Sequence, residues 1–139
     1  MIAQKVISAT KTKDLSDDIS RTIQNLRTLS PLTKTCLPTI DGNVFIRVSE
    51  ISYFKSEDVY CRLHTRAGQA YFITKPLKWV EHKSFKHGFY RIHKSYFINV
   101  LNILRYHKRD GGFLQMENGD SIPISRSKKS HLHHLLEIL

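Results

Sequence analysis

The sequence predicts a mainly β fold of about ten short strands, with one short internal helix, a C-terminal helix and a further helix near the N-terminus. Three observations predict it. From residue 43 onward, short runs of β-branched and aromatic residues alternate with polar ones and are separated by turn residues. Residues 1–37 contain no aromatic residue and show helical spacing instead. A stripe of leucines at helical spacing closes the chain.

The N-terminal segment, residues 1–37, is predicted to be a helical extension or linker. Its apolar positions recur at alternating spacings of four and three, a heptad seam with one polar member: Leu15, Ile19, Thr22, Leu26 and Leu29. Acidic residues before the seam and Pro31 after it predict a helix over about 15–29. Two heptads are fewer than the roughly three to four of a coiled coil, so packing on its own domain and dimerisation both stay open.

The first β block starts after a linker and turn at residues 38–42. Strand-like runs follow at residues 44–48, 51–54, 59–64 and 70–73. A short helix over about 76–83 begins with Pro76 in its first turn and has three apolar residues: Leu77, Trp79 and Val80. This block is therefore predicted to be a meander followed by one helix.

The second β block begins at Phe89, with strand-like runs at residues 96–98 and 103–106. Asp110-Gly111-Gly112 predicts a turn, and Asn118-Gly119 predicts a hairpin between residues 113–116 and 121–124. Pro123 places the last strand at a sheet edge because proline cannot donate to a ladder. A helix from about Ser127 follows, and its apolar stripe is Leu132, Leu135, Leu136 and Leu139.

The charge balance predicts a polyanionic partner. The chain has 22 Lys and Arg against 12 Asp and Glu, a net charge of +10, and a pI of about 9.8. A domain with a pI above about 9 has the electrostatic character of a nucleic-acid binder. Charge bears on partners rather than on fold, so a basic protein without a nucleic-acid role is the alternative.

Cysteine content and hydropathy predict a cytoplasmic protein without a cofactor. Cys36 and Cys61 match neither a disulfide framework nor the paired spacing of a zinc site. No apolar run approaches the roughly 18 residues of a membrane helix, and the start lacks the apolar core of a signal peptide. Three histidines invite a metal site, but only Glu137 is available as a carboxylate partner: His131, His133 and His134. No metal is predicted.

An enzyme is not predicted either. Residues 119–122 superficially resemble the nucleophile block of a lipase-like hydrolase family. Such a serine needs a histidine base and an orienting acid further along the chain. Only 18 residues follow Ser121, and Glu137 is their sole acid. The same residues are accounted for as a hairpin turn and an edge strand.

Several segments together resemble a known family, the LytTR-type DNA-binding domain of bacterial response regulators. The resemblance covers essentially all of residues 43–139, and the block from 38 to 139 is predicted to be this domain. The order and spacing of six segments carry it: Ile51 to Ser56, Tyr60, Phe89 to Asn99, Ile103, Asn118-Gly119, and Ile122 to Arg126.

The resemblance implies an elongated, multi-sheet β-sandwich-like fold whose loops reach DNA from one edge. Family members usually bind paired imperfect repeats as dimers and bend the duplex. Carried over residue by residue, the family's contacts fall on the stretch 58–60, on His93-Lys94 and on Arg126. Glu57 and Asp58 put the first of these in doubt because they repel phosphate. Residues 1–37 cannot house a receiver domain, so either a stand-alone regulator or a fragment is expected.

Base contacts are expected from two cations. Arg126 offers a rigid fork to guanine O6 and N7, a contact worth about 1–3 kcal/mol of discrimination. Lys94 is a point charge between apolar strands, suited to a phosphate or a base acceptor, with a solvated loop lysine as the alternative.

Phosphate contacts are expected from Lys128 and Lys129, one turn from Arg126. Ser125 and Ser127 lie where a helix cap is needed, and capping is preferred over phosphate binding.

Other polar residues near these cations have structural alternatives. His93 is a DNA-contact candidate or a hydrogen-bonded structural histidine, and Tyr60 is a further contact candidate. Arg91 is expected to fix its strand, and Asn99 to serve as a turn or backbone partner.

Two function classes follow. The first is a transcription regulator that reads paired repeats in double-stranded DNA, with a homodimer on the repeats and a regulatory partner through residues 1–37 as further partner candidates. The second is a non-specific basic module that binds RNA or mediates assembly. Exposed aromatic residues would favour single strands. The aromatic residues here follow strand alternation and are mostly expected in the core, which favours the duplex.

Overall fold

A computed structural model describes residues 17–19, 34–83, 85 and 88–138. The chain divides into two compact units, residues 1–33 and 34–139. Of the first unit, residues 17–19 are described and are helical. The rest of the predicted helix over 15–29, and with it the heptad seam apart from Ile19, lies outside the described residues.

The mainly β prediction is confirmed for the second unit. In chain order, its ten described strands are β1 (Lys34–Thr39), β2 (Gly42–Arg47), β3 (Ile51–Glu57), β4 (Tyr60–Thr65), β5 (Ala70–Ile73), β6 (Phe89–His93), β7 (Tyr96–Asn99), β8 (Ile103–His107), β9 (Phe113–Met116) and β10 (Ser121–Pro123). Two α-helices accompany them: α1 (Leu77–Glu81) and α2 (Lys129–Ile138). Three-residue 3-10 turns lie at Val48–Glu50, Val100–Asn102 and Arg126–Lys128.

The strands form three antiparallel sheets. The central sheet has five strands in the order β5-β4-β3-β7-β6, and it is accompanied by a two-stranded sheet, β1-β2, and a three-stranded sheet, β10-β9-β8. β3 is the middle strand and pairs with β4 on one side and β7 on the other. Pro123 lies in the edge strand β10, as expected of a residue without an amide proton.

Both faces of the central sheet are covered. On one face, Phe54 and Leu63 belong to a core completed by Leu37 of β1 and by Leu77 and Val80 of α1. On the other face, a second core gathers residues of the three-stranded sheet and α2 around the central strands: Tyr53, Ile92, Ile98, Leu114, Met116, Ile122, Ile124 and Leu132. A strand covered on both faces need not alternate in polarity, which explains the four consecutive buried residues at the start of β3.

The structure adds β1, a strand that the sequence analysis did not predict. Residues 34–37, predicted above to belong to the N-terminal extension, pair with β2, and Leu37 is fully buried. Pro38 has no amide proton to donate in this strand. Its carbonyl accepts a hydrogen bond from the Thr74 amide at 3.1 Å. The boundary between residues 37 and 38 stays a prediction.

The predicted turns and helices are largely confirmed. Asn118-Gly119 joins β9 to β10, and Gly119 has φ +94°, a conformation that favours glycine. The Asp110-Gly111-Gly112 turn has positive φ at all three residues. The internal helix is shorter than predicted, with Pro76 at its N-cap. The C-terminal helix α2 starts at Lys129, because residues 126–128 form a 3-10 turn.

Candidate DNA interface

Three segments meet at one end of the strands of the central sheet. We call this the loop edge and define it as residues 58–60, 93–95 and 125–129. The β3–β4 turn adjoins the β6–β7 turn because the Ser56 amide donates to the Ser95 carbonyl at 2.8 Å. The Ser125 amide donates to the Ile92 carbonyl at 3.1 Å, which brings the third segment alongside β6. Loop segments that are more than sixty residues apart in the chain are thus held next to one another by backbone hydrogen bonds.

Arg91 fixes the β6–β7 turn. Its Nε donates to the His93 carbonyl at 3.1 Å, and one terminal nitrogen donates to the Lys94 carbonyl. The other terminal nitrogen forms an ion pair with Glu81 at the end of α1. The planar guanidinium therefore ties two consecutive turn carbonyls to a helix, which suits its rigid fork of donors. The structural role expected for Arg91 is confirmed.

His93 also stabilises this turn. Its Nδ1 accepts a hydrogen bond from the Ser95 amide at 3.1 Å, and its ring meets Tyr96 edge-on at 5.6 Å between centroids. Of the two alternatives for His93, the structure thus describes a hydrogen-bonded histidine, and its contact with DNA stays a prediction. Lys94 lies at the exposed tip, and its ammonium group has no ion-pair or hydrogen-bond partner among residues 34–83, 85 and 88–138.

The third segment presents Arg126 to solvent on the 3-10 turn. The capping role expected for Ser125 is wrong at this turn: its side chain makes no cap hydrogen bond, and its Oγ lies 3.4 Å from that of Ser127. The reason is that the backbone closes the turn instead, with the Lys128 amide donating to the Ser125 carbonyl at 2.9 Å. The Ser125 hydroxyl is therefore not used at the backbone of this turn.

Lys128 and Lys129 point to different neighbours. The Lys128 ammonium lies 5.5 Å from the centre of the Tyr90 ring on β6, a cation–π contact. The Lys129 ammonium lies 4.0 Å from the position that a Cβ would take at Gly111, in the β8–β9 turn. At the start of α2, one charge therefore lies by β6 and the other by the β8–β9 turn.

The β3–β4 turn is less acidic than its sequence indicates. Both carboxylate oxygens of Glu57 accept hydrogen bonds from Arg62, at 2.8 and 2.9 Å. This pairing holds the pKa of Glu57 below its ordinary value. Asp58 is exposed with φ +56°, as the tight turn requires. Tyr60 is 40% exposed and meets Phe72 edge-on at 5.5 Å between centroids, so part of this residue is accessible to a ligand.

Ion pairing differs sharply between cations. In the described part of the chain, three arginines pair with glutamates: Arg62 with Glu57, Arg66 with Glu117, and Arg91 with Glu81. No described acid pairs with the four cations at the loop edge, which are Lys94, Arg126, Lys128 and Lys129. These four charges are thus available to an anionic ligand.

Other sites considered from the sequence have structural explanations. Within the described ranges, no three His, Cys, Asp or Glu side chains come together to hold a metal ion. Asp120 and Ser121 belong to the β9–β10 hairpin, where Asp120 accepts a hydrogen bond from the Tyr53 hydroxyl at 2.7 Å. Burial raises the pKa of the Cys61 thiol to about 12, so it is an inert core residue. None of the helices in the described residues is long and apolar enough to cross a membrane.

The comparison with protein families decides the identity. A family model described as the LytTr DNA-binding domain matches residues 41–137. The chain belongs to the LytTR family of DNA-binding domains. Over 110 residues it is 31% identical to the CO-responsive transcriptional regulator RcoM of Rhodospirillum rubrum, covering 77% of this chain and 46% of that protein. The chain therefore spans about half the length of this curated relative.

A solved structure of the LytTR family shares the fold. The LytTr DNA-binding domain of a response regulator from Bacillus cereus superposes with a TM-score of 0.63 and 26% sequence identity. The match covers 74% of this chain and 95% of that domain. The LytTR resemblance seen in the sequence is thus confirmed, both by family and by fold.

Sequence reasoning missed three partners at the loop edge: Glu81 for Arg91, Arg62 for Glu57 and Tyr90 for Lys128. For Arg62 a signal was present. In a hairpin with Glu57 opposite Tyr60, Arg62 is the diagonal neighbour on the same face, within reach of a long side chain. For Glu81 and Tyr90 no local pattern exists, because each contact joins separate elements.

Proposed function

We propose that this LytTR-family protein is a transcription regulator that recognises specific sequences, arranged as paired repeats, in double-stranded DNA. The observation that supports it most is the loop edge, where four cations without acidic partners among the described residues project from segments tied together by backbone hydrogen bonds. Loops with a fixed backbone and unpaired cationic side chains suit binding to a duplex. Some of the cations can contact phosphates, which positions the protein, and others can contact base edges, which specifies the sequence.

Base contacts are assigned to Arg126 and Lys94. Arg126 is exposed on a turn whose position is set by the Ser125–Ile92 hydrogen bond, so its fork meets a guanine edge with little loss of backbone freedom. Lys94 lies at the tip of a turn held by Arg91 and His93. His93 and Tyr60 are the secondary contact candidates beside it.

Phosphate contacts are assigned to Lys128, Lys129 and the Ser125 hydroxyl. Each lysine that neutralises a phosphate contributes about 0.9 to the slope of log affinity against log salt. Because one ammonium group lies by β6 and the other by the β8–β9 turn, the two lysines can contact different phosphates. These residues set register and orientation without selecting a base.

The relatives extend the proposal to regulation. The Rhodospirillum rubrum relative is named a CO-responsive transcriptional regulator, which supports transcription as the process; its response to CO is a property of that protein. We assign residues 38–139, with the start of β1 that precedes them, to DNA binding, and the preceding residues of the segment 1–37 to an extension that contacts a regulatory partner or a second copy. The protein acts in the cytoplasm, where bacterial DNA is found, as a non-enzyme without a cofactor.

Selection from a random pool of duplex DNA, carried out at two salt concentrations, tests this proposal. We expect enrichment of a repeated motif that persists at the higher salt, and the spacing of the repeats then gives the geometry of the dimer. Binding without enrichment, lost steeply as salt rises, would replace the proposal with non-specific binding of nucleic acid. Competition with single-stranded RNA of the same length distinguishes an RNA-binding module.

A further inference from the structure

A second group of cations lies on α1 and on the residues directly before and after it, outside the segments assigned above. We call it the α1 surface and define it as Lys75, Lys78, Trp79 and Lys83. The Lys75 and Lys83 ammonium groups lie 5.5 and 5.0 Å from the centre of the Trp79 ring, and Lys78 is exposed beside it. None of these lysines pairs with an acid in the described part of the chain, and the one acid of α1, Glu81, is paired with Arg91. The α1 surface is therefore strongly positive.

The strand register places the α1 surface at the same end of the sheet as the loop edge. Ile73, the last residue of β5, is opposite Cys61, and Cys61 is opposite Ser56. The Ser56 amide in turn bonds the Ser95 carbonyl of the β6–β7 turn. Because these residues form one row across the strands, the chain that leaves β5 through Lys75 emerges level with Lys94.

The spacing of this row can be compared with DNA. Three strand spacings of about 4.8 Å separate β5 from β7, so Ile73 at the end of β5 and Ser95 in the β6–β7 turn are about 14 Å apart. The major groove of B-DNA is about 12 Å wide. If the β6–β7 turn enters the major groove, the DNA backbone that borders this groove would therefore be within reach of a long lysine side chain on the α1 surface.

We propose that the α1 surface binds the DNA phosphate backbone that borders the groove contacted by the β6–β7 turn. This inference rests on the proposed function, since it requires a duplex at the loop edge. Lysine suits the role as a point charge that attracts phosphate without selecting a base. The indole ring limits the freedom of the Lys75 and Lys83 side chains, so less conformational entropy is lost on binding.

The contacts of Trp79 favour a duplex backbone over a single strand. Binding of single-stranded DNA or RNA uses aromatic faces on which bases stack. Trp79 is half-buried, and two ammonium groups lie over its ring, so the face is not free for a base. What the α1 surface offers is charge rather than a stacking platform.

A paired set of variants tests the proposal. In the full chain, Lys75→Gln with Lys83→Gln removes both charges and keeps the apolar stems on Trp79. We expect the salt slope for a duplex that carries the selected motif and its flanks to fall by about 2, with sequence preference unchanged. The control is Lys34→Gln with Arg47→Gln, an exposed cation pair at the opposite end of the β1–β2 hairpin, which should keep the full slope.

Trp79 supplies an independent measurement because it is the single tryptophan of the chain. The wild-type protein should show strong quenching of Trp79 emission by iodide, an anion attracted to the two lysines. Saturation with duplex DNA should reduce iodide quenching while quenching by neutral acrylamide changes less. This measurement uses the unaltered protein, so it does not depend on how the variants fold.

The outcomes separate the two proposals. An unchanged salt slope in the Lys75/Lys83 variant, or unchanged iodide quenching in the DNA complex, would overturn the α1 contact and leave this surface to an acidic protein partner. Failure of the wild-type protein to select any sequence would instead overturn the proposed function. In that case the salt slopes on an arbitrary duplex still decide whether the α1 surface binds phosphate.

Discussion

The two ends of the central sheet differ in whether their polar side chains have partners within the protein. At the end away from the loop edge, Asn99 and Asn102 both donate to the Ile51 carbonyl at 2.9 Å, and both side chains are almost completely buried. Arg66 there pairs with Glu117, and Asn118 reaches the Thr65 carbonyl. At the loop edge, the backbone is hydrogen-bonded but the ends of Lys94 and Arg126 are without acidic partners in the described residues.

The difference shows that, in this small domain, residues at one end of the sheet stabilise the fold and residues at the other end are available for ligand binding. The two buried asparagines at the opposite end have hydrogen-bond partners within the fold, and the loss of these bonds would therefore destabilise it. Polar groups at the loop edge hold turns in position through their backbone contacts and leave cations for a ligand. Substitutions at the opposite edge should therefore change stability, whereas those at the loop edge should change DNA binding.

The largest expected effect is on stability, at Asn99. Asn99→Ala removes two hydrogen bonds of a buried side chain: one of the two donors to the Ile51 carbonyl, which keeps Asn102, and the acceptor of the Leu101 amide. We expect the free energy of unfolding to fall by about 1–3 kcal/mol, measured by urea denaturation. Asn43→Ala, an exposed asparagine of β2, is the control and should change it by less than about 0.5 kcal/mol. A variant of normal stability that binds its DNA site weakly would place Asn99 in the interface.

Arg126→Ala should have the next largest effect, on specific binding. Loss of a guanine contact is expected to weaken affinity for the selected site by about 1–3 kcal/mol, with little change on non-specific DNA or in stability. Arg66→Ala at the opposite edge is the matched control, since an exposed ion pair contributes about 0–1 kcal/mol and should not affect DNA. Equal loss of affinity on every sequence would argue against base recognition by Arg126.

Lys128→Ala should act through phosphate alone. We expect a uniform loss of affinity across sequences and a salt slope reduced by about 1, measured by titration of one duplex at several salt concentrations. Arg47→Ala is the control because it is exposed away from the loop edge. If the slope of the Lys128 variant equals that of the wild-type protein, the Tyr90 contact is the whole role of this lysine.

A smaller effect concerns pH at His64, which stacks on Tyr53 at 4.4 Å between centroids. Burial lowers the pKa of His64 below its ordinary value of 6.5, so the unfolded chain binds more protons in weakly acidic solution. Its contribution to stability is therefore complete above pH 6.5 and is lost as the pH falls through the lower pKa of the folded state. His64→Phe, which keeps the stacked ring, should reduce the drop in urea midpoint between about pH 7.5 and 5.5. An equal drop in both proteins would show that other groups cause it.

Much of the fold could be predicted because alternation and turn residues are local signals. The β9–β10 hairpin follows from Asn118-Gly119, and the edge position of β10 follows from Pro123. β1 could not be found in the same way. Its residues include no aromatic side chain, and Leu37 is buried only by packing on the central sheet, a contact between distant parts of the chain.

The candidate site could be predicted in its residue types and not in its supports. The motif around residues 89–99 and Ile122 to Arg126 indicated which cations to examine. Their common location depends on the pairing of β3 with β7 and on the Ser125–Ile92 bond, which no periodicity reveals. The Arg91–Glu81 pair likewise depends on how α1 crosses the sheet.

The pairing of β3 with β7 has a consequence for folding. Among the described strands, every other pairing joins neighbours in sequence, whereas Tyr53 and Ile98 are opposite each other across an intervening helix and three strands. Local hairpins close quickly, and a long-range pairing must first overcome the entropy of closing a large loop. We expect the hairpins to form early and the β3–β7 seam late. A nascent or partly folded chain would then expose basic hairpins before it has assembled a surface able to select one DNA sequence.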